Sequence, residues 1–368
     1  MNKSKINLII FHPYSDIGGA DLSISKLINS LDHKKYKIEF ICLNKQKIRK
    51  YLKKKIKIHI IRSSKTIYSI FKVRKIVKKN LNLNFDKVVF FSNQNFVNVI
   101  SFFITLGLNR KLKKIVIERN HISELYTYFR FNDFLRKIII RNLMKLTYRN
   151  FDLIIGNSKE LSKDLSEYLN LKVKTIYNAL PSFEDKKNEY KKFRGKILNI
   201  GRLEKQKDQI TLIKALNIVI KQIDIKLTII GNGSEYDNIF KVIQKYKLNN
   251  KVKILKNIID PKQFYSKNDL FILSSIYEGF PNVIAESISM NLPVISSTCK
   301  SGVKELLMSS RGPDTFSVGN YKELAKKIIN HYRNPQILNK KTMKLKKNLK
   351  KFNLKNFAER YDNLFSNL

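Results

Sequence analysis

Short, continuous apolar runs recur along this chain, and longer segments with helical spacing separate them. The runs are rich in β-branched residues and do not alternate with polar residues, which is typical of parallel strands covered on both faces. They lie at Ile6–Phe11, Ile38–Leu43, Ile56–Ile61, Lys87–Ser92, Lys114–Glu118, Leu153–Ser158 and Val173–Asn178, and then at Ile197–Gly201, Leu227–Gly231, Val252–Leu255, Leu270–Ser274 and Pro293–Ser297. The pattern predicts an α/β protein built from doubly wound parallel sheets.

The length and one break in the pattern predict two such domains. The chain has 368 residues, which suits two domains of roughly 150 residues each. Residues 181–195 are charged, begin with proline and lack an apolar period, so we interpret them as a linker. We therefore expect an N-terminal Rossmann-like domain at 1–180 and a second one at 196–350. The tail from about residue 320 to 368 has a helical and very basic sequence, and we expect the C-terminal helix at 351–368 to pack back on the N-terminal domain.

The charge is the unusual feature of the composition. The chain carries 73 Lys and Arg against 29 Asp and Glu, a formal net charge of +44. Such a balance favours an anionic partner, either nucleic acid, an anionic lipid surface or a phosphorylated substrate. An AT-rich genome would also enrich lysine. The N-terminus enters a strand directly, without a secretory signal, and the apolar segment Phe96–Leu108 is shorter than the roughly 20 residues that a spanning helix needs.

Three strand ends carry residues suited to phosphate groups. After the first strand, Gly18 and Gly19 open a helix, where backbone N–H groups can approach a ligand, although a plain tight turn explains them as well. In NIGRLEKQKD, Arg202 and Lys207 follow a strand, and two such cations can hold a diphosphate. The next corner, IIGNGSEYD, matches a GxGxxG fingerprint only in part, because Tyr236 replaces the last glycine.

The segment SIYEGFPNVIAES places two carboxylates at a strand-to-helix turn. Glu278 follows a strand, Gly279 allows the turn, and Pro281 suits the first helical turn. Glu286 then lies one turn inside the helix, on the flank away from the apolar residues. A solvated helix glutamate would explain Glu286 alone, whereas two carboxylates at such a turn can also hold the hydroxyls of a sugar.

These motifs together resemble the retaining glycosyltransferases of family 4, which have the GT-B fold. GRLEKQKD, GNGSE, EGFPNVIAE with seven residues between its glutamates, and NLPVISS follow one another in the family's order. The resemblance covers nearly the whole chain. EGFPNVIAE with its preceding strand is highly specific, whereas the N-terminal GGAD corner is not. The fold this implies is two Rossmann-like domains facing a central cleft.

The resemblance implies a nucleoside-diphosphate sugar, expected to be a UDP-sugar, as donor. Arg202 and Lys207 would bind the diphosphate, Glu286 the ribose, and Glu278 the donor sugar. No metal or other cofactor is expected, because the two cations serve the leaving diphosphate. The remaining donor-binding residues are Gly19, Gly233, Glu235, Gly279, Phe280, Pro281, Asn282 and Val283.

The catalytic residues that the resemblance implies are Glu278 and one residue of the N-terminal domain. Many family members place a histidine after a middle strand, and IVIERNHIS offers His121 there. Retention in glycosidases uses a carboxylate nucleophile, which makes Glu278 a candidate. The family's commonly favoured mechanism is instead a same-face attack, with the leaving phosphate taking the acceptor's proton. The sequence leaves the two open.

The same resemblance indicates a hexose or N-acetylhexosamine transferred to a lipid-linked glycan acceptor, in bacterial surface polysaccharide or glycoconjugate synthesis. The alternatives are a nucleotide-sugar epimerase or hydrolase on the same fold, a non-catalytic glycan-binding protein, and a basic nucleic-acid-binding protein. The last lacks a recognisable motif, so no nucleic acid is expected as a partner.

The basic residues of the N-terminal half predict where the enzyme works. Basic clusters lie at Lys45–Lys57, Lys72–Lys79 and Arg110–Lys114, and Phe102 and Phe103 follow the second cluster. Each basic residue near an anionic leaflet contributes about 1 kcal/mol. We expect a cytoplasmic protein bound peripherally to the inner face of the cell membrane.

Overall fold

The structure, a computed structural model, describes residues 6–13, 18–44, 47–109, 111–129, 131–180, 190–258, 260–308 and 312–368. The chain forms two compact units. One comprises residues 1–179 together with 352–368, and the other comprises residues 180–351. Residues 181–189 of the predicted linker lie outside the described residues.

A seven-stranded parallel sheet forms the centre of the N-terminal unit. Its strand order is β3-β2-β1-β4-β5-β6-β7, so the direction of winding reverses at β1. In the register, Ile10 of β1 lies between Phe40 of β2 and Phe91 of β4. The strands are β1 Ile6–Phe11, β2 Tyr36–Leu43, β3 Lys57–Ile61, β4 Lys87–Asn93, β5 Leu112–Glu118, β6 Leu153–Gly156 and β7 Val173–Thr175.

Helices cover both faces of this sheet. Its helices are α1 Gly19–Ser30, α2 Ile70–Leu81, α3 Asn95–Thr105, α4 Phe131–Thr147, α5 Lys159–Leu169 and α13 Leu354–Ser366. Leu8 and Ile10 of β1 pack in the core that contains α1 and α13, whereas Ile9 and Phe11 pack in the core that contains α2 and α3. Both sets are buried, which is why the strand reads as a continuous apolar run.

The last helix, α13, docks on the N-terminal sheet. Phe91 of β4 packs edge-on against Tyr361 and Phe365, with ring centroids 6.0 and 6.2 Å apart. Asp362 accepts hydrogen bonds from Lys35 Nζ at 2.7 Å and from the Tyr36 hydroxyl at 2.6 Å. The tail of the chain is thus part of the N-terminal unit.

The C-terminal unit is a second parallel sheet with the order β10-β9-β8-β11-β12-β13. Its strands are β8 Lys196–Ile200, β9 Lys226–Ile230, β10 Val252–Leu255, β11 Leu270–Leu273, β12 Val294–Ser297 and β13 Thr315–Phe316. Its helices are α6 Gln209–Val219, α7 Tyr236–Lys245, α8 Lys262–Lys267, α9 Asn282–Ser289, α10 Val303–Leu307, α11 Tyr321–Arg333 and α12 Pro335–Asn348. The winding reverses between β8 and β11, which brings the corners after these two strands together.

The structure confirms the predicted α/β fold of two doubly wound parallel sheets. All twelve predicted strands are present, with ends displaced by no more than three residues. Among the described residues, the structure also contains β13, a two-residue strand at the edge of the sheet that the sequence did not predict. Within the described residues, none of the helices combines the length and the apolar character needed to cross a bilayer.

Candidate functional site

The corner after β8 presents two cations. Arg202 is exposed, and Lys207 ends a short 3₁₀ helix, Lys205–Lys207. Asp208 then adopts a left-handed conformation with φ 44° and caps α6. Its carboxylate accepts hydrogen bonds from the Thr211 hydroxyl at 2.6 Å and the Thr211 backbone N–H at 3.2 Å. This cap fixes the chain direction directly after Lys207.

Glycines in the next corner allow two loops to touch. A side chain at Gly231 would overlap the carbonyl oxygen of Gly201, and one at Gly233 would overlap that of Leu203. Glu204 strengthens the contact, since its carboxylate accepts hydrogen bonds from the Ser234 N–H and hydroxyl at 3.1 and 2.9 Å. The glycines of IIGNGSE therefore serve close packing of the two loops. Gly233 itself is exposed, and Glu235 is half-buried with Asn238 donating to it at 2.8 Å.

The corner after β11 is largely buried. Glu278, Gly279, Phe280 and Pro281 are buried, and α9 begins at Asn282. The Gly302 N–H donates to the Gly279 carbonyl at 2.7 Å, which pins the turn from the neighbouring loop. Asn282 and Val283 are half-buried at the start of the helix. Burial and this hydrogen bond from the neighbouring loop therefore fix the conformation of the turn.

Lys207 and Glu278 meet, although 71 residues separate them along the chain. Lys207 Nζ lies 2.5 Å from Glu278 Oε1, and the Ser275 hydroxyl donates to the same oxygen at 2.7 Å. The two side chains are only 16% and 9% exposed. The Ser274 hydroxyl donates to the Lys207 carbonyl at 2.8 Å. Lys207, which the resemblance assigns to the diphosphate, and Glu278, which it assigns to the donor sugar, thus form one ion pair.

Gln206 connects the two corners, and the sequence reasoning missed it. Its side-chain amide donates to the Tyr277 carbonyl at 2.9 Å, and its backbone carbonyl accepts from the Ile276 N–H at 2.8 Å. Its Oε1 also accepts a hydrogen bond from Arg202 Nη2 at 3.2 Å. Gln206 therefore orients Arg202 from the buried side of the loop. The available signal was a glutamine among lysines at a strand end, which is weak.

Tyr265 anchors Glu286, and no motif in the sequence pointed to it. Its hydroxyl donates to Glu286 Oε2 at 2.6 Å, and the ring is 1% exposed. Burial raises the pKa of Tyr265 well above its ordinary value, so the phenol stays a hydrogen-bond donor. Glu286 itself is half-buried. A carboxylate held by a buried tyrosine is more ordered than a solvated helix glutamate would be.

In the N-terminal unit, the corner at Gly18 and Gly19 is capped by the side chain of Asp21. Gly19 is exposed at the start of α1. The Gly18 N–H donates to Asp21 Oδ2 at 3.0 Å, and Asp21 Oδ1 lies 3.0 Å from His12 Nε2. His12 Nδ1 lies 3.1 Å from Asn93 Nδ2. Asp21 and His12 are buried, so this corner is a rigid polar junction between β1, α1 and β4.

His121 lies inside the N-terminal unit. It is 1% exposed, its Nε2 lies 2.7 Å from Asp164 Oδ2 of α5, and its Nδ1 accepts from the Ser123 N–H at 3.1 Å. It caps the 3₁₀ helix Ile122–Tyr126. Both ring nitrogens are engaged, so the structure places His121 as an anchor between this loop and α5.

Glu118 lies three residues before His121, and its buried carboxyl group lines a small pocket together with His121. It accepts hydrogen bonds from the Tyr148 hydroxyl and from Asn98 Nδ2, the latter at 2.8 Å. The pocket is also lined by Asn95 and Asn120. Burial raises the pKa of Glu118 to about 8, in spite of these two donors.

We expect Glu118 to make stability depend on pH. In the unfolded chain the carboxyl group has a pKa of 4.5, so the folded state binds the proton more tightly. The free energy of unfolding should therefore fall as the pH rises from about 4.5 to about 8. Glu118→Gln should remove this dependence, so the melting temperature of the variant minus that of the wild type should grow with pH. Thermal denaturation between about pH 5 and 8 measures it, and a pH-independent difference contradicts it.

Comparison with known proteins adds a family to this geometry. The profile of the family described as "Glycosyl transferases group 1" matches residues 182–352, which contain all the strand-end motifs of the C-terminal unit. The chain is 29% identical over 316 residues to N-acetylgalactosamine-N,N'-diacetylbacillosaminyl-diphospho-undecaprenol 4-alpha-N-acetylgalactosaminyltransferase of Campylobacter jejuni, covering 82% of each chain. It is also 24% identical to the amylovoran biosynthesis glycosyltransferase AmsD of Erwinia amylovora, covering 82% of this chain and 83% of AmsD.

Solved structures share the fold over the full length. The Anabaena protein HepE, in complex with UDP and glucose, superimposes with a TM-score of 0.78 and 18% identity, covering 98% of this chain and 100% of that one. At this identity the likeness concerns the fold, and it agrees with the GT-B architecture expected from the sequence motifs.

Proposed function

We propose that the protein is a glycosyltransferase of group 1, the family whose profile matches residues 182–352, and that it is a retaining enzyme. In this proposal it transfers a hexose or N-acetylhexosamine from a UDP-sugar to a lipid-linked glycan acceptor. The observation that carries the proposal is the ion pair between Lys207 and Glu278 at two adjacent strand ends. Gln206 holds Arg202 at the same corner, because it accepts from Arg202 and donates to the Tyr277 carbonyl. Glu286 lies one turn inside α9, and the Tyr265 hydroxyl donates a hydrogen bond to it. Ligands of doubly wound sheets bind at such strand ends.

The charges of this corner suit a nucleoside-diphosphate sugar. Arg202 is exposed and offers a planar fork for phosphate oxygens, and Lys207, which is half-buried, offers a point charge. Glu286 would accept hydrogen bonds from the ribose hydroxyls, and the buried turn from Glu278 to Val283 would hold the sugar. UDP bound to HepE, whose fold this chain shares, supports uridine as the base.

The surroundings of Glu278 favour a positioning role over a nucleophilic one. Its Oε1 already accepts hydrogen bonds from Lys207 and Ser275, and both donors lower the electron density available for attack. In the mechanism we propose, the acceptor hydroxyl attacks the anomeric carbon on the face that the diphosphate leaves. The bond from that carbon to the phosphate oxygen breaks, the new glycosidic bond forms, and the acceptor's proton passes to the leaving diphosphate.

The two cations would replace a metal ion at the leaving group, so we propose a metal-independent enzyme. The test is a panel of nucleotide sugars assayed by release of nucleoside diphosphate, with and without acceptor and with EDTA. We expect UDP release from one UDP-sugar that depends on the acceptor and persists in EDTA. Loss of activity in chelator with rescue by one metal contradicts metal independence, and equal release without acceptor indicates a hydrolase.

The acceptor proposal draws on the relatives. The Campylobacter jejuni enzyme is named for an acceptor built on diphospho-undecaprenol, and AmsD for amylovoran biosynthesis. Both names describe glycans of bacteria. We therefore propose a glycan on a lipid diphosphate as acceptor, in the synthesis of a bacterial surface polysaccharide or glycoconjugate.

A lipid-linked acceptor requires the enzyme to reach a membrane, and one surface of the N-terminal unit suits this. We call it the α2–α4 surface. It exposes large apolar side chains, namely Phe71 at 84%, Phe131 at 74%, Leu146 at 61%, Ile139 at 57% and Phe103 at 41%. Exposed lysines accompany them on α2 and α4, namely Lys72, Lys75, Lys78, Lys79 and Lys145. Of the basic clusters predicted from the sequence, Lys45 and Arg110 lie outside the described residues. We propose peripheral binding to the cytoplasmic leaflet through this surface.

We expect the protein to float with anionic liposomes at low salt and to dissociate at high salt, because exposed charges are screened. Phe71→Ser together with Phe131→Ser should weaken flotation without changing activity on a soluble acceptor analogue. Phe102 is half-buried, so Phe102→Leu serves as a control within the same unit. Equal recovery with neutral and anionic liposomes, or binding indifferent to salt, contradicts the electrostatic contribution.

A further inference from the structure

The carboxyl edge of the N-terminal sheet carries buried polar side chains that the donor site does not use. His12 follows β1, Asn93 ends β4, Arg119 follows β5, Asn157 follows β6, and Asn178 lies beyond β7. All five are buried, with exposed fractions between 0% and 8%. The winding of the sheet reverses at β1, and ligands of such sheets bind beside the reversal.

Arg119 is the least satisfied of these groups. Its Nη1 donates to Asn178 Oδ1 at 3.2 Å, whereas its Nε is buried without a hydrogen-bond partner. Across the part of the chain that the structure describes, no carboxylate forms an ion pair with Arg119. The neighbouring Glu118 is bonded to Tyr148 and Asn98, and Asp21 is bonded to His12 and Gly18.

Asp21 and Glu118 act on the Arg119 charge only from a distance. A buried guanidinium without a directly bonded anion leaves a donor unsatisfied, so an anion that bonds to it would bind with a corresponding gain. Two acceptors beside it are also unused. Asn93 and Asn157 each donate through Nδ2, to His12 and to the Arg119 carbonyl, and their Oδ1 atoms are buried without partners. Their strands flank β5 on either side. The edge thus offers one strong donor to an anion and two acceptors to hydroxyl groups.

We propose that Arg119, Asn93 and Asn157 form an acceptor subsite that binds a phosphoryl group on the acceptor and the sugar hydroxyls next to it. This rests on the proposed glycosyltransferase function, in which the acceptor is attached to a lipid diphosphate. Arg119 would bind phosphoryl oxygens through Nε, and the two asparagines would accept from the hydroxyls. The donor diphosphate has its own two cations, Arg202 and Lys207, in the C-terminal unit.

The test compares Arg119→Gln and Arg119→Lys with the wild type in acceptor and donor kinetics. A hydrogen bond to a charged group contributes about 1.5–3 kcal/mol, so Arg119→Gln should raise KM for a phosphate-bearing acceptor about 10- to 100-fold. Arg119→Lys should recover part of the loss. The dissociation constant for UDP should stay within about twofold. Arg149→Gln, an exposed arginine of the same unit, should change none of these.

A second measurement separates binding from a structural role. In an Arg202→Ala/Lys207→Ala background, which lacks the proposed donor site, inorganic pyrophosphate should raise the melting temperature, and Arg119→Gln should abolish that rise. Loss of an unpaired buried charge should not lower the melting temperature of the ligand-free protein.

A lower melting temperature in Arg119→Gln with an unchanged acceptor KM makes Arg119 structural and overturns the proposal. A loss of UDP affinity in Arg119→Gln overturns it in favour of a donor contact. A wild type that fails to bind UDP at all contradicts the proposed function instead.

Discussion

Lys207→Ala is expected to lower kcat/KM for the UDP-sugar by about 10² or more. The ammonium lies at the end of β8, where it would stabilise negative charge on the departing diphosphate. It is also the partner of Glu278, at 2.5 Å. The variant therefore loses a cation in the transition state and leaves a nearly buried carboxylate unpaired, and both effects reduce turnover.

Three variants separate these effects. Lys205→Ala changes an exposed lysine two residues away and should leave kcat/KM unchanged. Arg202→Ala should lower it by a smaller factor, since Arg202 lies at the exposed side of the corner. Lys207→Ala combined with Glu278→Gln should show strong non-additivity, because the two side chains form one ion pair. Near-normal activity in Arg202→Ala/Lys207→Ala, with the fold intact, contradicts a diphosphate clamp.

Substitutions of Glu286 and Glu278 are expected to have different effects, the first on the affinity for UDP and the second on kcat. Glu286→Ala should weaken binding of both the UDP-sugar and UDP itself, because the ribose is common to both ligands. Glu278→Gln should lower kcat by about 10² while the dissociation constant for UDP changes little, since the sugar is absent from UDP. Calorimetric titration with UDP and steady-state kinetics with the UDP-sugar provide the two measurements.

Tyr265→Phe supplies the matched control for Glu286. It removes only the hydroxyl that holds Glu286 Oε2 at 2.6 Å, so UDP affinity should fall in the same direction as in Glu286→Ala and by less. Equal losses of UDP affinity in Glu278→Gln and Glu286→Ala contradict separate sugar and ribose roles. An unchanged UDP affinity in Glu286→Ala contradicts the ribose contact directly.

The strands were predictable because burial on both faces makes a parallel strand a continuous apolar run. Ile6–Phe11 shows this, with Leu8 and Ile10 in one core and Ile9 and Phe11 in the other. The strand β13 could not be predicted, because two residues at a sheet edge are too few to show a hydrophobic pattern.

The site residues at strand ends were also predictable, whereas their partners were not. Parallel strands bring their carboxyl ends together, which placed Lys207 and Glu278 at the same edge. The two side chains form an ion pair because β8 lies beside β11 in the sheet. This strand order cannot be read from two residues that lie 71 positions apart in the sequence. The partners Gln206 and Tyr265 act through hydrogen bonds to residues distant in the fold or in the sequence, and residue type alone does not reveal these bonds.

The glycines of GNGSE have a packing role that the sequence did not reveal. The family resemblance implies donor contacts by Gly233 and Glu235, and the structure adds that Gly231 and Gly233 allow close approach to the carbonyls of Gly201 and Leu203. The loop thereby supports the corner that carries Arg202. A nucleotide contact by Glu235 remains a proposal that the UDP titrations below can test with Glu235→Ala.

The central claim is that the corners after β8 and β11 bind a nucleoside diphosphate without a metal ion. Isothermal titration of the full-length protein with UDP in the presence of EDTA tests it most directly, with Arg202→Ala/Lys207→Ala as the comparison. We predict binding of one UDP per chain to the wild type, and an affinity at least about tenfold lower in the double variant, as expected for lost charge-assisted hydrogen bonds. Absence of UDP binding until a divalent metal is added, or equal affinity in the double variant, contradicts the claim.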